Sequence, residues 1–294
     1  MRRIPPIAIA CVLGLATPVL AQKQVALLAT VSDRSGQPVP AIDPAAVTVY
    51  ENGQPIPVLR VEPVERTPKL EVLIDNGAGF PSTNLSDLRN AVKALINALP
   101  DGLDVALLTT APQPHFLEKG TTSRTRLLSA ADRLTFDSHA GKFVDSLYEA
   151  AERADKDPLE TAVHSLIVIG TTVGDANVLE SDIRKTLERI QKKEMLVDVV
   201  LFQVLDTNTG GVQLDLGRAA ANIAGGRMEV INSATRLTSL LPELGKLLQT
   251  TMGPDSHLVR VIVDRPGGGR LGEIGMQMLG MNVVAITLDA ANTK

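Results

Sequence analysis

The sequence predicts an α/β protein built on a doubly wound, mostly parallel sheet, with small β segments flanking it. Three observations carry that prediction. Four runs, Leu70–Ile74, Asp104–Leu108, Ser165–Ile169 and Leu196–Gln203, are rich in Val, Leu and Ile. They are continuous rather than alternating, as strands covered on both faces are. Between them lie stretches with apolar residues at helical spacing, and strand–helix alternation implies right-handed crossovers in one layer. At both ends the pattern changes to short strands broken by proline and glycine.

Taken in order, residues 1–21 read as an export signal. Arg2 and Arg3 open it, an apolar stretch runs from Ile7 to Leu15, and Val19-Leu20-Ala21 supplies a cleavage point before Gln22. The stretch falls short of the roughly 20 residues that span a bilayer. The expectation is therefore a periplasmic or secreted protein with no membrane span in the mature chain. Cys11, the one cysteine, sits inside the stretch. A mature chain without cysteine has no disulfide, no thiolate nucleophile and no cysteine-based metal site.

Residues 22–66 form the N-terminal β segment. Val25–Val31 is a strand and Asp33–Gly36 a turn. Ala46–Tyr50 is a second strand closed by Glu51-Asn52-Gly53, a hairpin signal, with Val58–Val61 as the returning strand. Prolines 38, 40, 44, 55 and 57 suit edges and turns. Residues 67–252 make the α/β domain. Its helices carry the faces Leu85, Leu88, Val92, Leu95, Ile96 and Leu99; Phe143, Leu147 and Ala150; Ile183, Leu187 and Ile190; and Leu237 to Leu248. Residues 253–294 form a β tail with strands at His257–Val263, Ile274–Met278 and Asn282–Leu288. The sequence leaves open whether this tail pairs with the N-terminal segment.

Composition narrows the function. With 29 basic and 33 acidic residues, loss of Arg2 and Arg3 leaves 27 against 33, a mildly acidic protein with no basic block. That argues against nucleic acid and anionic membrane surfaces as partners. Tryptophan is absent and Tyr50 and Tyr148 are the two tyrosines, so no aromatic platform for bases or sugars is at hand.

Several motifs place the chain near a known family. Val31-Ser-Asp33-Arg-Ser-Gly36-Gln-Pro38-Val39 is followed by Val47-Thr-Val49-Tyr-Glu51-Asn-Gly53, then by Val72-Leu-Ile74-Asp75, and Ala219–Met228 precedes the last helix. In this order they resemble exported bacterial von Willebrand factor A-related proteins. The resemblance implies a metal-binding apical loop of the form Asp-x-Ser-x-Ser. Here Asp75 matches, and Gly77 and Gly79 stand at the two serine positions. A second loop, usually supplying threonine, aligns with Lys142. A third, usually supplying aspartate, aligns with Thr171, with Asp175 four residues on. A hard cation takes several oxygen ligands, and this set falls short of that shell. The expectation is a degenerate, metal-free apical site in which Lys142 replaces the ion and pairs with Asp75. The alternative is a weak magnesium or manganese site on Asp75, Thr171 and Asp175.

Enzyme motifs are broken. Gly77-Ala78-Gly79 follows a strand, but Ser82 replaces the third glycine of a dinucleotide fingerprint and Pro81 interrupts it. In haloacid dehalogenase-like enzymes a second aspartate would fall at Gly77. No serine occupies a Gly-x-Ser-x-Gly elbow. His115, His139, His164 and His257 show no ligand spacing. What remains is the crevice beyond the strands' carboxyl ends: Asp75–Gly79, Thr109–Pro112, His139–Lys142 and Thr171–Asp175, a small, polar edge suited to a protein or peptide. The reading is a non-enzymatic binding or scaffold protein without a cofactor. The alternatives are a metal-dependent adhesion module and an exported α/β hydrolase.

Overall fold

The computed structural model describes residues 24–33, 35, 39, 42–158, 162–174, 179–204, 211–253, 258–265 and 274–286. The expected export signal lies outside them. No described helix is long and apolar enough to cross a membrane.

The chain runs β1 (Gln24–Ser32), β2 (Val47–Glu51), β3 (Gln54–Ile56), β4 (Val58–Pro63), β5 (Thr67–Ile74), α1 (Leu85–Ala98), β6 (Asp104–Thr109) and β7 (His115–Thr121). It continues through α2 (Arg124–Asp132), α3 (Phe143–Lys156), β8 (Ala162–Thr171), α4 (Glu180–Lys192), β9 (Leu196–Phe202) and α5 (Val212–Ile223). Last come β10 (Met228–Ile231), α6 (Thr235–Met252), β11 (Leu258–Asp264), β12 (Ile274–Met278) and β13 (Asn282–Ile286).

The four expected inner strands form the middle of a six-stranded sheet, in the order β10-β9-β8-β5-β6-β7. All its neighbours pair in parallel except the β6–β7 edge, which is antiparallel. Every residue of β8 and β9 is buried, as unbroken apolar strands require. Alternation along β5 splits the interior in two. Leu70, Val72 and Ile74 face α1, α2 and α6, while Leu73 faces α3, α4 and α5. α1 and α6 approach closely because Gly245 has no side chain, and a Cβ there would lie 2.8 Å from that of Ala98.

The pairing left open by the sequence is made. β1 lies between β11 and β13 in a four-stranded antiparallel sheet, and β12 pairs with β2 in a three-stranded one. Val25, Leu27 and Ala29 meet Val47 and Val49 between these sheets, with Val259, Val261 and Val263, as a third core. Leu28, on the other face of β1, joins the core under α1 and α6.

One strand assignment is corrected. The hairpin strand returning to β2 is β3, with Gln54 opposite Glu51, not Val58–Val61. Asn52 and Gly53 both have positive φ, 51° and 76°, so a two-residue turn reverses the chain at once. Pro57 then has no N–H to continue the ladder, and β4 crosses to pair with β11. Helices α2 and α5 and strands β7 and β10 add to the elements read from the sequence. The two strands are edges and only partly buried, so their apolar pattern is weak.

Deleting residues 254–294 removes both neighbours of β1 and uncovers Leu27 and Leu28. The truncated chain is expected to lose cooperative thermal unfolding by circular dichroism and to aggregate on size exclusion. A monomer melting at the full-length temperature would show that the β unit adds nothing to the fold.

Candidate functional site

Parallel pairing sets the carboxyl ends of β5, β6, β8 and β9 along one edge. The strand order reverses at β5, with β6 on one side and β8 on the other. That reversal opens the crevice where ligands of open α/β sheets bind. Asp75 follows β5 and Thr171 ends β8, so topology alone brings residues 96 positions apart together.

Asp75 is held as an extension of the sheet. Its N–H donates to Ile169 O at 2.7 Å, and Thr110 N–H donates to Ile74 O at 3.1 Å. The carboxylate itself is 1% exposed. Oδ1 accepts from Gly77 N–H at 2.9 Å and from the Thr110 hydroxyl at 3.2 Å. Oδ2 lies 2.8 Å from Thr171 Oγ1. Burial pushes the carboxyl above its ordinary value, and hydrogen bonds from Gly77, Thr171 and Thr110 offset part of that rise. Thr171 Oγ1 also contacts Val173 O. One hydroxyl proton cannot serve both acceptors fully. A protonated Asp75, donating to Thr171 Oγ1 while that hydroxyl donates to Val173 O, satisfies every contact.

Glycine backbones close the space around this carboxyl. A Cβ on Gly141 would sit 2.1 Å from Asp75 Oδ1 and 2.6 Å from Oδ2. A Cβ on Gly77 would sit 2.4 Å from Gly141 N and 2.7 Å from His139 O. On Gly79 it would meet Thr171 Oγ1 at 2.7 Å and Val173 Cγ2 at 2.9 Å. Contacts under 3.0 Å, against backbone at Gly77 and against the buried Asp75 carboxyl at Gly141, demand that the surroundings move, so both glycines are fixed by close approach. Phe80, 3% exposed, anchors the first loop between Phe202 and Phe136, at centroid distances of 5.2 and 5.8 Å.

The sequence-derived residues divide accordingly. Asp75, Gly77, Gly79 and Thr171 meet as expected. Lys142 does not pair with Asp75: the carboxyl's partners are Gly77, Thr110 and Thr171, all uncharged. Lys142 instead precedes α3, where its N–H donates to Thr110 O at 3.2 Å and its carbonyl accepts from Ser146. Three neutral donors and the Gly141 backbone take the room that the ammonium would need. Asp175 lies outside the described residues. His139 is a solvent-facing loop residue whose ring Nδ1 lies 2.6 Å from Asp137 Oδ1. His164 lies within β8, buried, with Nε2 3.3 Å from Asp157 Oδ2.

Two contributors escaped the sequence reading. Asn76 ties three loops: Oδ1 accepts from Ala111 N–H at 3.0 Å, Nδ2 donates to Thr135 O at 3.0 Å, and its carbonyl accepts from Asp137 N–H at 2.8 Å. Gly141 is the other. Neither type is diagnostic in isolation, because both act through tertiary approach.

No protein-family model matches the sequence, and neither does any curated protein. Solved structures do match. A von Willebrand factor type A protein from Catenulispora acidiphila superposes with a TM-score of 0.51 at 14% identity, over 76% of this chain and 67% of that one. The von Willebrand factor domain of the type V pilus tip protein of Porphyromonas gingivalis gives 0.48 at 8% identity, over 64% and 96%. A proximal thread matrix protein of the mussel byssus, with zinc in its metal motif, gives 0.48 at 16%, over 70% and 48%. The α/β layer of this chain is a von Willebrand factor A-like fold.

Because the folded-state pKa of Asp75 is raised, its contribution to stability is fully present below the unfolded value and declines as pH rises through the folded value. Asp75→Asn keeps an acceptor for Gly77 and Thr110 and a donor for Thr171, and it does not ionise. Urea titrations from pH 4 to 8 are expected to show the wild type losing stability relative to Asp75→Asn as pH rises. Asp75→Ala, which orphans three polar groups, is expected to cost about 2–4 kcal/mol at pH 4 and less as pH rises. A wild type that gains on Asp75→Asn with rising pH would reverse the sign of this account.

Proposed function

We propose that this chain is an exported, non-enzymatic protein-binding or scaffold protein whose von Willebrand factor A-like domain works without a metal at its apical site. The observation that carries the reading is the sealed carboxyl. Both oxygens of Asp75 are already committed to hydrogen-bond partners within the protein, and Gly141 lies against them within a side chain's reach. A magnesium-like ion takes six oxygens at about 2.0–2.1 Å. Gly77, Gly79 and Gly141 bring no side-chain oxygen, and the Thr171 hydroxyl is turned onto Asp75 and Val173. These residues do not fit the ion, and no step is assigned to one.

The binding reading draws on the same edge. α4 and α5 follow β8 and β9, so their N-termini stand at the carboxyl ends of the strands. There Leu179 is 69% exposed and Val212 47% exposed, apolar surface at the same edge of the sheet as Asp75. Exposed apolar side chains beside a small, polar edge suit a protein contact better than a small-molecule pocket. Among the described residues Asp75 is the buried carboxyl at the centre of the crevice, and a buried acid sealed by backbone has no path to a substrate. Export rests on the Arg2–Ala21 sequence pattern.

Magnesium or manganese up to millimolar concentration is expected to leave the melting temperature of the purified chain unchanged. Complexes trapped by crosslinking in the exported fraction are expected to persist in EDTA and to vanish in a Leu179→Glu/Val212→Glu variant with native melting. A saturable, metal-dependent rise in melting temperature that Asp75→Asn abolishes would favour the adhesion-module alternative instead.

A further inference from the structure

The opposite edge of the sheet, where β5 and β8 begin, holds a second buried charge cluster. Glu194, just after α4, has a left-handed backbone with φ 49° and a side chain 9% exposed. Its Oε2 accepts from Arg66 Nη2 at 2.5 Å and from Arg260 Nη2 at 2.6 Å. Arg66 leads into β5 with a side chain 5% exposed, and Arg260 belongs to β11 with 24% exposed. Among the described residues neither arginine has another carboxylate partner. Two guanidiniums against one carboxylate leave the cluster one positive charge in excess.

The donors repeat that imbalance. Arg66 Nη1 and Arg260 Nε are both buried with no hydrogen-bond acceptor. An uncompensated buried charge and two orphaned donors are each unfavourable. An added anion would answer both at once.

A cavity of about 340 Å³ adjoins the cluster, with Arg66 in its wall. Its other walls mix apolar side chains, Val64, Leu103, Val163, Met252 and Leu258, with Thr251 and with Asp101, whose carboxylate faces solvent and pairs with Arg124 at 2.7 Å. The volume is at the small end of ligand sites, which run roughly 300–1,000 Å³. A single excess charge calls for a monoanion, since a phosphate dianion would overshoot it. Apolar walls call for a hydrocarbon chain behind the charged head.

We propose that this cavity binds a short-chain organic carboxylate, its head pairing with Arg66, the member of the cluster in the cavity wall, and its chain lying against Leu103, Val163 and Met252. The site is independent of the apical loops. It joins the α/β layer, through Arg66 and Glu194, to the β unit, through Arg260 and Leu258.

Calorimetric titration of the full chain with acetate, butyrate, hexanoate and octanoate tests this, with hexanol, hexylamine and inorganic phosphate as matched probes. The expected result is saturable binding of the carboxylates, tightening about fourfold per methylene up to hexanoate, as roughly 0.8 kcal/mol per buried methylene implies. The alcohol, amine and phosphate should bind at least tenfold more weakly. Arg66→Met should abolish binding. Thr251→Met, which fills the cavity and leaves all three charged groups in place, should weaken hexanoate at least tenfold while the chain still melts cooperatively. The proposal is overturned if no carboxylate saturates the wild type, if hexanol or phosphate binds as well as hexanoate, or if a folded Arg66→Met or Thr251→Met variant keeps wild-type affinity.

Discussion

The apical architecture depends on one buried carboxyl. Asp75 stands at the point where the strand order reverses, and the loops after β5, after β6 and before α3, with the end of β8, reach it or its neighbour Asn76. Gly77 bonds it from its own loop, Thr110 from the loop after β6, and Thr171 from the end of β8. Gly141 closes against it from the loop before α3. A carboxyl removed from water needs this many partners to be tolerated. Here all of them are uncharged, and burial holds the carboxyl above its ordinary pKa. The loops are thereby tied to one another by hydrogen bonds and close backbone contact.

The same constraint changes what the apical edge offers. With its polar centre satisfied internally, the surface available to a partner is the rim: the starts of α4 and α5, with Leu179 and Val212 exposed. In the metal-bearing arrangement implied by the family resemblance, a partner meets charge held by an ion. Here it would meet apolar side chains on a preformed, rigid platform. The β unit works at the other end of the sheet. Its strands come from both ends of the described chain, and its links to the α/β layer run through Leu28, Leu258 and the Arg66–Glu194–Arg260 cluster.

The layered fold was legible wherever burial was complete. β8 and β9 are buried along their whole length and mostly apolar, His164, Ser165, Thr171 and Asp198 excepted, because both faces are covered, and the helices facing them show regular apolar spacing. Legibility failed where pairing, not burial, decides the outcome. The Val58–Val61 run looks like a hairpin strand, but the two-residue turn at Asn52-Gly53 had already spent the pairing on Gln54–Ile56. The site shows a similar divide. Asp75, Gly77, Gly79 and Thr171 were readable from motif position. The charge pair with Lys142 was not correct, because sequence position cannot tell an ammonium from the backbone beside it. Gly141 lies one residue earlier and makes the contact.

The claim that backbone, not an ion, closes the apical site reduces to the contact between Gly141 and Asp75. A double-mutant cycle on chemical stability measures it directly. Gly141→Ala places a methyl where Oδ1 stands and is expected to cost at least about 3 kcal/mol in wild type. In the Asp75→Ala background, where that oxygen is gone, the same substitution is expected to cost less by at least about 1.5 kcal/mol. Additive costs, or a Gly141→Ala variant as stable as wild type, would contradict the account.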